Sequence, residues 1–134
     1  MIKRIHHLNF IVRDLEQAAA RYSALLGMPP PPIENLPQRG VRLARYKIGE
    51  TWIILVQPTD NSGEPARYLA LHGEGIFLVS GQVDDVRKSA SKLAKLGIQA
   101  VNDLPRQGLD DWLLIDLDPD DLFGVNFQLV ESAD

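Results

Sequence analysis

His7, Asn9, Arg45, Ser80, Asn126 and Gln128 are the residues whose types suit chemistry on a small molecule. An imidazole titrates near neutrality and can carry a proton. Amides and a hydroxyl donate to, or accept from, polar ligand atoms. The Arg45 guanidinium fits a carboxylate or phosphate, with a snorkelling strand residue as its other reading. None of these residues sits in a linear catalytic motif. The chain has no Gly-rich phosphate loop, no nucleophile elbow and no His-Glu-x-x-His zinc helix. The acidic run Asp116, Asp118, Asp120, Asp121 fails as a calcium loop, because Asp121 and Phe127 stand where Gly and Glu are required. It reads as a solvated turn. With no cysteine, disulfides, thiolate metal sites and a thiol nucleophile are excluded. His6 has the opposite strand phase to His7 and is expected to be exposed or beneath a helix. His72, ahead of Gly73, is expected to cap a helix end.

The elements that must position these groups are legible from periodicity. Ile5–Val12 is β-branched and aromatic, and reads as a strand. Asp14 caps a helix over Leu15–Leu26, whose apolar residues recur at helical spacing, and Gly27 stops it. The four prolines at 29–32 form a stiff connection. Val41–Ile48 and Thr51–Val56 read as strands around a Gly49-Glu50 turn. A polar loop follows, then a short helix over Pro65–His72. Gly75–Val83 reads as a strand, Val86–Leu96 as a helix capped by Asp84-Asp85, and Ile98–Val101 as a short strand. Trp112–Leu117 and Val125–Val130 are the last strands, and the tail Glu131–Asp134 is expected to fray.

The order strand, helix, strands occurs twice. Laying His7–Leu15 over Leu78–Val86 aligns the capping Asp14 with Asp85, and Leu25 with Leu96. Ile54-Leu55-Val56 then matches Gln128-Leu129-Val130. An internal duplication of two βαβββ modules follows, at about residues 1–58 and 75–131, joined by a loop and short helix.

At this point the chain resembles the vicinal oxygen chelate superfamily, which includes glyoxalase I, bleomycin-resistance proteins, extradiol dioxygenases and methylmalonyl-CoA epimerase. The residues that carry the resemblance are Ile5-His6-His7-Leu8-Asn9-Phe10-Ile11-Val12 with Asp14-Leu15, and Leu25-Leu26-Gly27-Met28. His72–Ile76, Val83–Val86, Asp118-Pro119 and Gly124-Val125 add to them. The epimerase branch fits best. The resemblance implies one α+β domain over residues 1–134, its two modules forming a cupped mixed sheet around one cavity, and a homodimer.

The family's enzymes hold a divalent ion through four positions, which carry over to His7, Ile54, Leu78 and Gln128. Ile54 and Leu78 have no donor atoms, and Gln128 offers only a neutral amide. A weakly held divalent ion at His7 and Gln128 is the most this set admits, and no tightly bound cofactor is expected. Leu43 falls near the place of the epimerases' basic carboxylate. Alternating strand phase on that fold puts His7, Asn9, Leu43, Arg45, Ile54, Leu78, Ser80, Asn126 and Gln128 around the ligand. Three readings fit. One is an isomerase or lyase acting on a small oxygenated acid or acyl-CoA thioester, with His7 moving the proton. Another is a non-catalytic module that sequesters a ligand, as bleomycin-resistance proteins do. The third, ranked below these, is an interaction protein whose pocket is filled by its own core.

Composition sets the outer bounds. The 134 residues are 45% hydrophobic and 24% charged, with a formal net charge of −4. This suits one globular domain and supplies no basic field for nucleic acid. No apolar run approaches the roughly 20 residues of a membrane span, and none follows the basic N-terminus as a signal peptide requires. A cytoplasmic location is the expectation.

Overall fold

The computed structural model describes Met1–Ala133. Its elements are β1 (Arg4–Ile11), α1 (Leu15–Leu26), β2 (Glu34–Leu36), β3 (Val41–Ile48), β4 (Thr51–Pro58) and α2 (Glu64–His72). Then come β5 (Gly75–Gln82), α3 (Val86–Lys95), β6 (Arg106–Gln107), β7 (Leu113–Asp116) and β8 (Phe127–Glu131). The order β-α-β-β-β therefore occurs twice, with α2 between the repeats, and the fold class is α+β. By internal contacts the chain falls into two compact units. One is Leu8–Phe77; the other is Met1–His7 together with the chain from Leu78. They are called the first and second units below.

In the first unit the strand order is β2-β3-β4-β1. Helix α1 begins where Asp14 Oδ1 accepts from the Gln17 N–H at 3.0 Å, satisfying one of the free amides of the first turn. It ends at Gly27, whose φ of 67° is a left-handed conformation that glycine adopts without a Cβ clash. The core gathers Val12, Leu15, Ala19, Ala44, Tyr46 and Leu55. Full burial of each large aliphatic side chain contributes about 1.5–3 kcal/mol before chain entropy is counted. The buried Tyr46 hydroxyl is satisfied, lying 2.7 Å from Ser23 Oγ and donating to the Ala19 carbonyl at 2.9 Å. Residues of the opposite phase, Leu43, Ile54 and Val56, are also buried, so both faces of the β3–β4 pair are covered.

In the second unit the order is β1-β5-β8-β7-β6. Its core is Val83, Val86, Ile115, Leu117 and Leu129. Asp85 Oδ1 caps α3 by accepting from the Lys88 N–H at 3.0 Å.

Two expectations are corrected. Ile98–Val101 is not a strand; it makes only a single bridge, Ala100 to Leu117. The strand that follows α3 is instead Arg106–Gln107, two residues and too short to show a period. Glu131 does not belong to a fraying tail: it ends β8, and its carboxylate accepts from the Val86 N–H at 3.1 Å. Asp134, the end of that expected tail, lies outside the described residues. Among the described residues, no helix is long and apolar enough to cross a membrane.

Candidate functional site

The second unit builds a polar row across three strands. Ser80 on β5 stands opposite Gln128 on β8, and Gln128 stands opposite Asp116 on β7. Side chains at paired positions share a face, so hydroxyl, amide and carboxylate meet. Ser80 Oγ donates to Gln128 Oε1 at 3.0 Å, and Gln128 Nε2 donates to Asp116 Oδ1 at 2.9 Å. Arg106 closes the row with a two-point grip on Asp116, Nε to Oδ2 at 2.9 Å and Nη2 to Oδ1 at 3.2 Å. Ser80 and Gln128 are 0% and 1% exposed, so these bonds satisfy groups that have no access to water. Asp116 is accordingly not part of a solvated acidic turn. Asp118 is: it accepts from the Asp120 N–H at 2.9 Å and starts the 3₁₀ turn Pro119–Leu122.

His7 belongs to a second cluster in the same unit. Its Nδ1 lies 2.9 Å from His6 Nδ1, so one ring donates and the other accepts. The His7 ring stacks on Trp112 with centroids 4.9 Å apart at 16°, and His6 meets the same indole edge-on at 4.6 Å. All three rings are buried. His6 is thus not exposed but packed against Trp112. His72 does not cap carbonyls but lies on Tyr68, ring centroids 4.4 Å apart.

The first unit carries a row at the equivalent strand positions. Arg45 on β3 stands opposite Ile54 on β4, and Glu34 on β2 lies opposite Leu43. Arg45 and Glu34 form a two-point ion pair, Nε to Oε2 at 2.8 Å and Nη2 to Oε1 at 3.2 Å. The guanidinium also lies 5.0 Å from the centroid of Trp52. Arg45 is therefore held by a carboxylate of its own unit. On β1, Asn9 Oδ1 is buried and has no hydrogen-bond partner. Leu43 and Ile54 are each 2% exposed.

Leu78 and Asn126 are half-buried in the second unit; the Asn126 carbonyl accepts from the Val79 N–H at 3.0 Å. A separate open groove of about 830 Å³ in the first unit is lined by Phe10, Val12, Arg13, Ala18, Tyr22 and Ile76, among others. It contains none of the expected ligand residues. Arg13 and Glu74 on its wall pair with each other, at 3.5 Å. Two carboxyls with lowered values lie on the surface. The Glu16 carboxyl is lowered by its hydrogen bond to Arg42, and the Asp84 carboxyl by its bond to Lys3.

The positions that the resemblance assigns to a divalent ion are, each in its own unit, poor donors. Ile54 and Leu78 supply no N or O atom, and both polar ends of the Gln128 amide are bonded within the protein. No group of three or more His, Cys, Asp or Glu able to hold a metal occurs among the described residues. A cation at Gln128 would have to compete with Ser80 for a neutral oxygen.

Sequence reasoning missed Trp112, Arg106 and Glu34. Trp112 carried no motif, and the other two lie on strands of two and three residues. Asp116 had a signal, since it is in phase with the buried Leu114 on an expected strand.

Comparison with known proteins finds likeness over nearly the whole chain. The human mitochondrial methylmalonyl-CoA epimerase is 28% identical over 130 residues, covering 96% of this chain and 74% of that protein. The ethylmalonyl-CoA/methylmalonyl-CoA epimerase of Cereibacter sphaeroides is 28% identical, covering 96% and 98%. A solved methylmalonyl-CoA epimerase in complex with methylmalonyl-CoA and NH4+ superimposes with a TM-score of 0.91 at 29% identity, over 99% of this chain and 96% of that one. The family model described as Glyoxalase/Bleomycin resistance protein/Dioxygenase superfamily matches residues 4–129, and the chain belongs to that superfamily.

Proposed function

We propose that this chain is an isomerase of a small acyl-CoA thioester, acting on the hydrogen at the carbon beside the thioester carbonyl. The observation that carries the reading is end-to-end likeness to methylmalonyl-CoA epimerases in both sequence and fold. His7 carries the proton. Held on Trp112 and against His6, its ring has a fixed orientation, which is what proton transfer needs before any adjustment of basicity. With the shared hydrogen on His7 Nδ1, Nε2 is the basic nitrogen. It takes the α-proton, the electron pair moves into the thioester carbonyl as an enolate, water donates a proton to the opposite face and so inverts the centre, and the imidazolium gives its proton to the hydroxide left behind. Leu43, near the place of the epimerases' basic carboxylate, leaves His7 as the base. No step is assigned to a metal, because the donors at His7, Ile54, Leu78 and Gln128 do not suit one. A homodimer and a cytoplasmic location belong to the same reading.

The test is isotope exchange. Incubated in ²H₂O with methylmalonyl-CoA or ethylmalonyl-CoA, the protein should place deuterium at the α-carbon, read by mass spectrometry. His7→Ala should slow exchange by about 100-fold or more, the usual worth of a positioned acid–base group. Thermal stabilisation by these thioesters without any exchange would instead assign the chain to ligand sequestration.

A further inference from the structure

The two units solve one local problem differently. In the second unit Val83 N–H donates to the Val130 carbonyl at 2.9 Å, and Ser80 faces Gln128 three positions earlier on β5 and two earlier on β8. In the first unit Val12 N–H donates to the Val56 carbonyl at 2.9 Å. The same offsets place Asn9 against Ile54. Ser80 finds its partner in the Gln128 amide; Asn9 faces an aliphatic side chain, and its Oδ1 is buried with none. Arg45, next along that row, is gripped at two points by Glu34. A buried carbonyl without a donor is destabilising, and such groups in a folded protein call for a reason.

We infer that Asn9 Oδ1 is a ligand-recognition atom, left without a protein donor so that an N–H of the bound molecule can donate to it once the ligand displaces what covers the atom. On the acyl-CoA reading, from which the donor's identity follows, that N–H is an amide of the pantetheine arm. The reacting end of such a thioester presents only acceptors, a thioester oxygen and a carboxylate, which a carbonyl oxygen repels. The arm has amide N–H groups, so Asn9 selects for the carrier rather than for the acyl group.

Because the atom is unsatisfied without ligand, stability and binding should move in opposite directions when it is removed. Asn9→Leu should raise the melting temperature of the ligand-free protein by about 3–5 °C. It should also weaken pantetheine binding about tenfold by calorimetry. Wild type should prefer pantetheine over an analogue whose amide N–H groups are replaced by ester oxygens, and Asn9→Leu should bind the two equally. Ile54→Gln, which offers Asn9 the kind of amide that Ser80 meets, should reproduce both effects. Equal binding of pantetheine and its ester analogue by wild type overturns the inference, as does a failure of pantetheine to bind. A lower melting temperature for both variants overturns it too. The isomerase reading fails separately: Asn9-dependent pantetheine binding without α-deuteration keeps this inference and removes the isomerase. Deuteration that is indifferent to Asn9→Leu does the reverse.

Discussion

The row Ser80–Gln128–Asp116–Arg106 and the row Asn9–Ile54–Arg45–Glu34 occupy equivalent strand positions of the two units, yet their chemistry is inverted. In the second unit the short strand β6 supplies the cation and β7 the carboxylate; in the first, β2 supplies the carboxylate and β3 the cation. Nε-to-oxygen distances of 2.8 and 2.9 Å show the same grip with the charges exchanged. The difference that matters lies one strand further in. Position 128 is an amide that links hydroxyl to carboxylate, so the second row is closed. Position 54 is aliphatic, so the first row ends at an unsatisfied carbonyl. One backbone arrangement thus supports a sealed polar chain and an open one. The sealed row also accounts for the amide at 128: a glutamate there would set a second carboxylate against Asp116 Oδ1, where the Gln128 Nε2 now lies at 2.9 Å.

The sharpest way to break this contrast is one substitution made at both equivalent positions. Gln128→Leu strands Ser80 Oγ in a buried setting and removes a donor from Asp116, and should cost about 1–3 kcal/mol. Ile54→Leu conserves volume and disturbs no hydrogen bond, and should cost less than about 1.5 kcal/mol. Chemical denaturation of the two variants measures both. Equal costs would mean that the closed row contributes nothing that the open one lacks.

The inverted ion pairs make a smaller and more specific prediction. If only the grip matters and not its polarity, exchanging the charges in the first unit should restore what single changes lose. Glu34→Arg or Arg45→Glu alone should destabilise by repulsion, and the double variant should recover. The pair is partly exposed, with Arg45 and Glu34 side chains at 15% and 34%, so solvent screening holds the expected coupling to about 0.5–1.5 kcal/mol. A double-mutant cycle by thermal denaturation reads it. A double variant as unstable as the sum of the singles would show that Arg45 is needed for its own contacts, such as its approach to Trp52.

How far the sequence anticipates this depends on element length. Helix α1 was fully legible, because Asp14, the apolar spacing and Gly27 all act within the segment itself. The duplication was legible for the same reason: its punctuation is local. Asn9, Ile54, Ser80 and Gln128 could be assigned to one face from alternation within each strand together with the positions that the family resemblance implies. Their partners could not. Arg106 and Glu34 sit on strands of two and three residues, which carry no periodicity, and they exist as strands only because β7 and β3 offer an edge to pair with. The His6–Trp112 contact joins residues more than a hundred positions apart, and nothing in either neighbourhood announces it. Side-chain phase can be read locally, whereas satisfaction of a polar group depends on a cross-strand neighbour.

The exposed ion pairs set the baseline against which both rows should be judged, and they give the smallest expected effect. Lys3 binds Asp84 at 2.8 Å on the surface of the second unit, and Arg42 binds Glu16 on that of the first. The hydrogen bond from Lys3, and then its charge, lower the Asp84 carboxyl below its ordinary value. A carboxyl lowered in the folded state contributes stability at pH above its unfolded value, and that contribution disappears as pH falls through the folded one. Lys3→Met should therefore raise the Asp84 titration midpoint, followed by NMR, toward that of a free carboxylate. It should leave stability at neutral pH nearly unchanged, because solvent screens the pair. The wild-type advantage, such as it is, should shrink further on acidification through the carboxylate range and fade with added salt. A loss at neutral pH as large as that of Gln128→Leu would mean that burial is not what separates the polar rows from the surface pairs.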